Sequence, residues 1–141
     1  MLTNRFIPNA TVIPVLAYPN APEAAAWLCA AFGFTIRIRI GTHRVQLNVG
    51  DGAAQGGIIV RELRPHEVGL PLGIGHSTHV RVEDVDAHYA HAQRQGARIT
   101  GEPTTYPYGE RQYVVEDPAG HSWTFTQSVA DVNPDDWNPD L

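Results

Sequence analysis

Lysine is absent from the 141 residues, and all ten basic side chains are arginine. Schiff-base chemistry, pyridoxal attachment and a P-loop lysine are therefore excluded. Cysteine occurs once, at Cys29, which rules out an internal disulfide and a cysteine-based metal site. Basic residues are outnumbered, 10 against 15 acidic, for a net charge of -5. That balance argues against a protein that grips a phosphate backbone, so no nucleic-acid partner is expected. No apolar run approaches ~20 residues, so no membrane-spanning helix is expected. The opening Met1-Leu2-Thr3-Asn4-Arg5 is not followed by the apolar stretch of a signal peptide. The expectation is a cytoplasmic protein of one domain.

What is present is alternation and punctuation. Thr11 to Tyr18 is a β-branched apolar run that reads as a strand ended by Pro19-Asn20. Asn20 is placed to cap a helix from Ala21 to Phe32 that stops at Gly33. Phe34 to Ile40 alternates apolar with polar, as does His43 to Val49, and Gly57 to Leu63 supplies another strand. After a Pro- and Gly-punctuated linker, residues 64–75, the pattern returns. Ser77 to Val82 is a strand and Val85 to Gln95 a helix ended by Gly96. Arg98 to Thr100, Gln112 to Glu116 and Ser122 to Gln127 are three further strands. Gly33 and Gly96 lie 63 residues apart, so the chain reads as a duplicated β-α-β-β-β unit. Module one covers 11–63, module two 76–128 and a tail 129–141, all within one domain over 1–141.

Three stretches carry a family resemblance: AAAWLCAAFGF at 24–34, EDVDA at 83–87 and, most specifically, YGERQYVVEDPAGHSW at 108–123. With these residues the chain resembles the vicinal oxygen chelate superfamily, the group of glyoxalase I, bleomycin-resistance proteins and extradiol dioxygenases. The resemblance implies an α+β fold of two βαβββ modules, helices outside, with a ligand cleft between modules. It also implies a homodimer, in which paired chains complete two equivalent clefts. Trp137, in the acidic tail, is a candidate for docking on the partner or the cleft rim.

Strand parity then sorts side chains into faces, because residues i and i+2 share one. Val80, Val82, Trp123 and Phe125 suit a helix-covered face. Their neighbours His79, Arg81 and Thr124, together with Gln46 and Asn48 of the third strand, suit the other. Arg111 is expected to join them as an anchor for an anionic group, with a carboxylate partner such as Glu62 or Glu110 as the competing role. Tyr106 and Tyr108, in a loop over 101–109, are candidates for stacking on a planar ligand at the cavity mouth. These eight residues are expected to converge on one cavity. His88 and His91 read as a solvated helix face, so His88→Ala is expected to change nothing; His121 reads as packing at a turn. Trp27 and Cys29 read as helix residues packed on the sheet.

In metal-dependent members of the family, the ligands stand on the first and last strand of each module. That matching falls on Ile13, Glu62, Ser77 and Thr124, where only Glu62 is a metal-binding side chain. A catalytic divalent site needs about three such ligands. No metal and no other cofactor is therefore expected, although His79 with Glu62 could form a shifted site. The leading reading is a metal-independent protein that sequesters a hydrophobic, planar natural product or drug. The alternatives are a lyase, isomerase or dioxygenase using the shifted metal site or His79 as general base, and a regulatory module without catalysis.

Overall fold

Asn20 and Asp84 start the two helices in the same way. The Asn20 side chain accepts a hydrogen bond from the Glu23 amide at 2.9 Å, and Asp84 from the Ala87 amide at 3.0 Å. Each relieves one of the unpaired N–H groups at a helix N-terminus. A second N–H at each start is taken by the last strand of the same module: Ala21 N donates to Glu62 Oε1 at 3.1 Å, and Val85 N to Gln127 Oε1 at 3.0 Å. The computed structural model, which describes residues 2–136, thus carries the duplication down to its capping contacts. The helices are α1 (Ala21–Phe32) and α2 (Val85–Arg94).

Module one contributes β1 (Val15–Tyr18), β2 (Thr35–Ile40), β3 (Arg44–Val49) and β4 (Gly56–Glu62). Module two contributes β5 (Thr78–Arg81), β6 (Arg98–Thr105), β7 (Glu110–Glu116) and β8 (Ser122–Ser128). The sheets run in the orders β1-β4-β3-β2 and β5-β8-β7-β6. In each, the first strand lies parallel to the last and the other pairs are antiparallel. The architecture is α+β, two βαβββ modules. Among the described residues, no helix is long and apolar enough to cross a membrane.

The helix-facing side chains of both sheets enter one continuous core. Leu16, Val45, Leu47 and Val60 come from the first sheet, and Val80, Val115, Trp123 and Phe125 from the second. Phe32, at the end of α1, joins them, its ring 5.5 Å from Trp123 and 4.8 Å from Phe125. Burying side chains of this size stabilises by ~1.5–3 kcal/mol each. Because the core takes one face of each sheet, the outer face of each is turned away from the helices.

Four local features depart from the expectations of the sequence. A β-bulge between Ile36 and Ile38 switches β2 from one face to the other: Ile36 pairs with Leu47 on the core side, but Ile38 pairs with Gln46 and Ile40 with Arg44 on the outer face. Such a bulge inserts one residue, here Arg37, and reverses everything after it. β6 runs to Thr105 instead of stopping at Thr100, with further register shifts between Ile99 and Thr104, so much of the expected 101–109 loop is strand. The first strand begins only at Val15, and the expected outer helix face at His88 is inside the fold. His88 Nε2 donates to the Phe32 carbonyl at 2.9 Å, and Nδ1 lies 2.6 Å from the Tyr113 hydroxyl. His91 Nε2 reaches the Ala30 carbonyl at 2.7 Å. Both imidazoles thus satisfy carbonyls left open at the C-terminal end of α1.

Candidate functional site

The outer face of the second sheet carries a connected set of polar side chains. Register puts His79 beside Thr124 and Arg81 beside Thr126. The Tyr108 hydroxyl donates to Gln112 Oε1 at 3.1 Å, the Gln112 amide to Thr126 Oγ1 at 3.2 Å, and the Thr126 hydroxyl to Glu110 Oε1 at 2.7 Å. Hydrogen bonds from Thr126 and Ser128, with Arg81 nearby, hold the Glu110 carboxyl below its ordinary range. At the β6–β7 turn the rings of Tyr106 and Tyr108 stack, 5.3 Å apart and 2° from parallel.

A cavity of about 640 Å³ opens along the edge strand β5. His79, Arg81 and Ser128 reach it from the polar face, and Asp51 and Glu83 add carboxylates. Val12, Pro14, Val49, Ile58 and Trp123 make it largely apolar elsewhere. A mostly apolar wall with a few placed polar groups is the usual make-up of a small-molecule site.

The expected residues do not all meet there. His79 and Arg81 line the cavity; Gln46, Asn48, Thr124, Arg111, Tyr106 and Tyr108 do not. Thr124 lies on the same outer face, buried between His79 and Val114. The two tyrosines lie at the tip of the β6–β7 hairpin, joined to that face through Gln112. Gln46 and Asn48 lie on the outer face of the first sheet, where Gln46 is only 3 % exposed. There the Arg37 guanidinium donates to Gln46 Oε1 at 2.7 Å, and the Gln46 amide donates to the Phe6 carbonyl at 2.9 Å. Arg111 turns toward α2 and forks onto Asp86 at 3.0 and 3.1 Å, because it shares its strand face with the core residue Tyr113. Glu110 and Gln112, the neighbours of opposite parity, take the place expected for it. The same alternation that places Tyr113 in the core identifies them.

Glu62 faces the helix side, on the Ala21 amide, whereas His79 stands on the polar side of β5. Among the described residues, no group of three or more His, Cys, Asp or Glu side chains could hold a metal ion. Cys29 is a free, partly buried thiol whose pKa is pushed up by burial.

The turn at 117–121 joins the modules. Asp117 accepts from the Tyr18 hydroxyl at 2.5 Å, Trp123 Nε1 at 3.1 Å and the amides of Ala119 and His121 at 3.1 and 3.0 Å. Burial and the Asp117 carboxylate push the Tyr18 phenol far above its usual range, so it remains a donor. His121 Nε2 donates to the Ala17 carbonyl at 2.7 Å, tying the turn to β1.

Residues 12–125 match the model of the Glyoxalase/Bleomycin resistance protein/Dioxygenase superfamily. The chain belongs to that superfamily. TioX from Micromonospora sp. ML1 is 32% identical, with a TM-score of 0.67 over 85% of this chain and 99% of that one. UcmS2 shares the fold at 19% identity and a TM-score of 0.65, over 85% of this chain and 98% of that one. Mb0911c of Mycobacterium bovis, described as uncharacterized, is 33% identical over 99 residues, 70% of this chain and 61% of its own length. Two Mycobacterium tuberculosis proteins match equally over 55% of theirs, so the chain spans little more than half of these relatives. For a glyoxalase-superfamily chain, the donor set is the test of a catalytic metal. Ile13 has no donor atom, Ser77 and Thr124 offer hydroxyls, and Glu62 is engaged with α1. These residues do not fit a catalytic divalent ion.

Proposed function

We propose that this superfamily member binds and sequesters a small, planar, largely hydrophobic molecule, a natural product or drug, without a metal. The observation that carries the reading is the pairing of His79 and Arg81 on one edge strand at the wall of a cavity of about 640 Å³ that is largely apolar apart from them, Asp51, Glu83 and a few neutral polar groups. The apolar wall supplies the binding energy, while the imidazole and guanidinium fix an acceptor or anionic group on the ligand. The stacked Tyr106 and Tyr108 offer flat, half-exposed rings to a planar molecule at the far end of the same polar face.

The proposal extends to a cytoplasmic homodimer. With one face of each sheet committed to the common core, the outer face of the second sheet is a single wall that a second chain can roof.

The test is capture without conversion. A panel of planar aromatic natural products is titrated into the protein, and bound material is extracted and weighed by mass spectrometry. The reading predicts one ligand per cavity, recovered unchanged, with affinity indifferent to chelator. His79→Ala should weaken binding about fivefold, ~1 kcal/mol for one lost hydrogen bond. Recovery of a chemically altered molecule, or binding abolished by chelator, would contradict it.

A further inference from the structure

The segment before β1 lies against the rest of the fold. Near its start, the Arg5 carbonyl accepts from the Arg37 guanidinium at 2.6 Å and the Phe6 carbonyl from the Gln46 amide at 2.9 Å. Pro8 is buried against Gly57. Near its end, Val12 and Pro14 form part of the cavity wall that carries His79 and Arg81. One stretch of chain therefore covers the polar face of the first sheet and walls the cavity. Its hold is slight: Leu2, Phe6, Ile7 and Val12 are exposed, at 94, 61, 45 and 77 %. At its end the Pro14 carbonyl accepts from the Ile59 amide at 2.9 Å, which anchors the segment at β1. Side chains left in water contribute little to docking, so the hold before that anchor is two side-chain hydrogen bonds and one buried proline.

We propose that residues 2–14 form a displaceable strap that restricts the cavity, so that ligand entry requires or drives its release from Arg37, Gln46 and Gly57. This inference rests on the proposed small-molecule reading of the cavity. The face under the strap suits either state. Ile38, Ile40 and Ile59 give it apolar area, and Gln46 and Asn48 give it hydrogen-bonding groups that the strap or a ligand can satisfy. Gly57 is where strap and sheet meet. A Cβ there would stand 2.6 Å from the Pro8 Cβ, while its next contact, the Leu47 carbonyl, is 3.6 Å away. Gly57→Ala therefore collides with the strap and spares the sheet.

Trypsin reads the strap directly, because the bond it would cut after Arg5 has its carbonyl held by Arg37. Cleavage there is timed in the full-length protein, with cleavage after Arg111, inside β7, as the control for global unfolding. Gly57→Ala and Gln46→Ala should each speed the Arg5 cut about tenfold, the equivalent of one lost contact, and leave the Arg111 site unchanged. The anionic aromatic dye 8-anilinonaphthalene-1-sulfonate, in excess, should speed the same cut in the unaltered protein and bind both variants several-fold more tightly. An unchanged Arg5 rate in both variants would overturn the strap. Equal dye affinity in all three proteins would overturn its control of the cavity while leaving the cavity as a binding site. Dye binding to none of them would count against the small-molecule reading itself, and the Arg5 rates would still decide the strap.

Discussion

Asp117 ties the 117–121 turn to itself and, through the Tyr18 hydroxyl, to the other module. Its carboxylate takes four donors at once, two of them the buried hydroxyl of Tyr18 and indole of Trp123. Truncation strands those donors in a site closed to water, and each unpaired buried group costs ~1–3 kcal/mol. Asp117→Ala should therefore lower the unfolding free energy by about 3 kcal/mol or more, measured by urea denaturation. Asp117→Asn, which keeps one carbonyl oxygen, should cost less. A loss within error for Asp117→Ala would show that the turn does not latch the modules. The sequence marks this position as a turn residue through Asp-Pro-x-Gly. Its partner Tyr18, 99 positions away, is out of reach of any local pattern.

At the scale of the element, α2 carries the clearest pH dependence. Burial lowers the His88 pKa below its ordinary 6.5, with the neighbouring His91 acting in the same direction. The Phe32 carbonyl can only accept, so Nε2 carries the proton and Nδ1 is free to accept from Tyr113. The unfolded chain therefore binds this proton more readily than the folded one. The stability it contributes is present above about pH 6.5 and is lost as pH falls through the lowered folded value. Thermal unfolding between pH 8 and 5 should show that decline in the unaltered protein, and a shallower one in His88→Gln. Parallel curves would contradict the assignment. His88→Ala should cost ~1–3 kcal/mol even at pH 8, by leaving Tyr113 and Phe32 unpaired.

Elements differ in how plainly the sequence announces them. Both helix starts are legible because a short acceptor, Asn20 or Asp84, directly precedes each helix. The faces of β5 and β8 are legible because Val80, Trp123 and Phe125 alternate with polar neighbours. β2 misleads: Ile36, Ile38 and Ile40 read as one buried face, and no Gly or Pro marks the bulge at Arg37 that turns the last two outward. Arg111 was readable as core-side from its parity with Tyr113. Its partner Asp86 belongs to another element and was not. His88 looks solvated on a helical wheel, because the carbonyls it satisfies belong to α1. The part of the strap before Thr11 has no periodicity, so neither Gln46 nor Gly57 could be seen as covered.

For the whole molecule, the common core between the two sheets sets the functional arrangement. It commits the helix-facing side of each module inward and turns the polar faces outward, the first under the segment before β1 and the second where another chain can close it. Light scattering on the proposed dimer should give about twice the 15.4 kDa chain mass at micromolar concentration; a mass of one chain would contradict it. Trp137, considered for docking on that partner, lies outside the described residues. The proposed function places a small aromatic molecule in the cavity along β5. Titration with 8-anilinonaphthalene-1-sulfonate, followed residue by residue in the backbone amide NMR spectrum, tests it most directly. Saturable shifts should centre on His79, Arg81, Gly57 and Ser128. Shifts confined to another surface, such as the linker around Leu70 and Ile74, would contradict it.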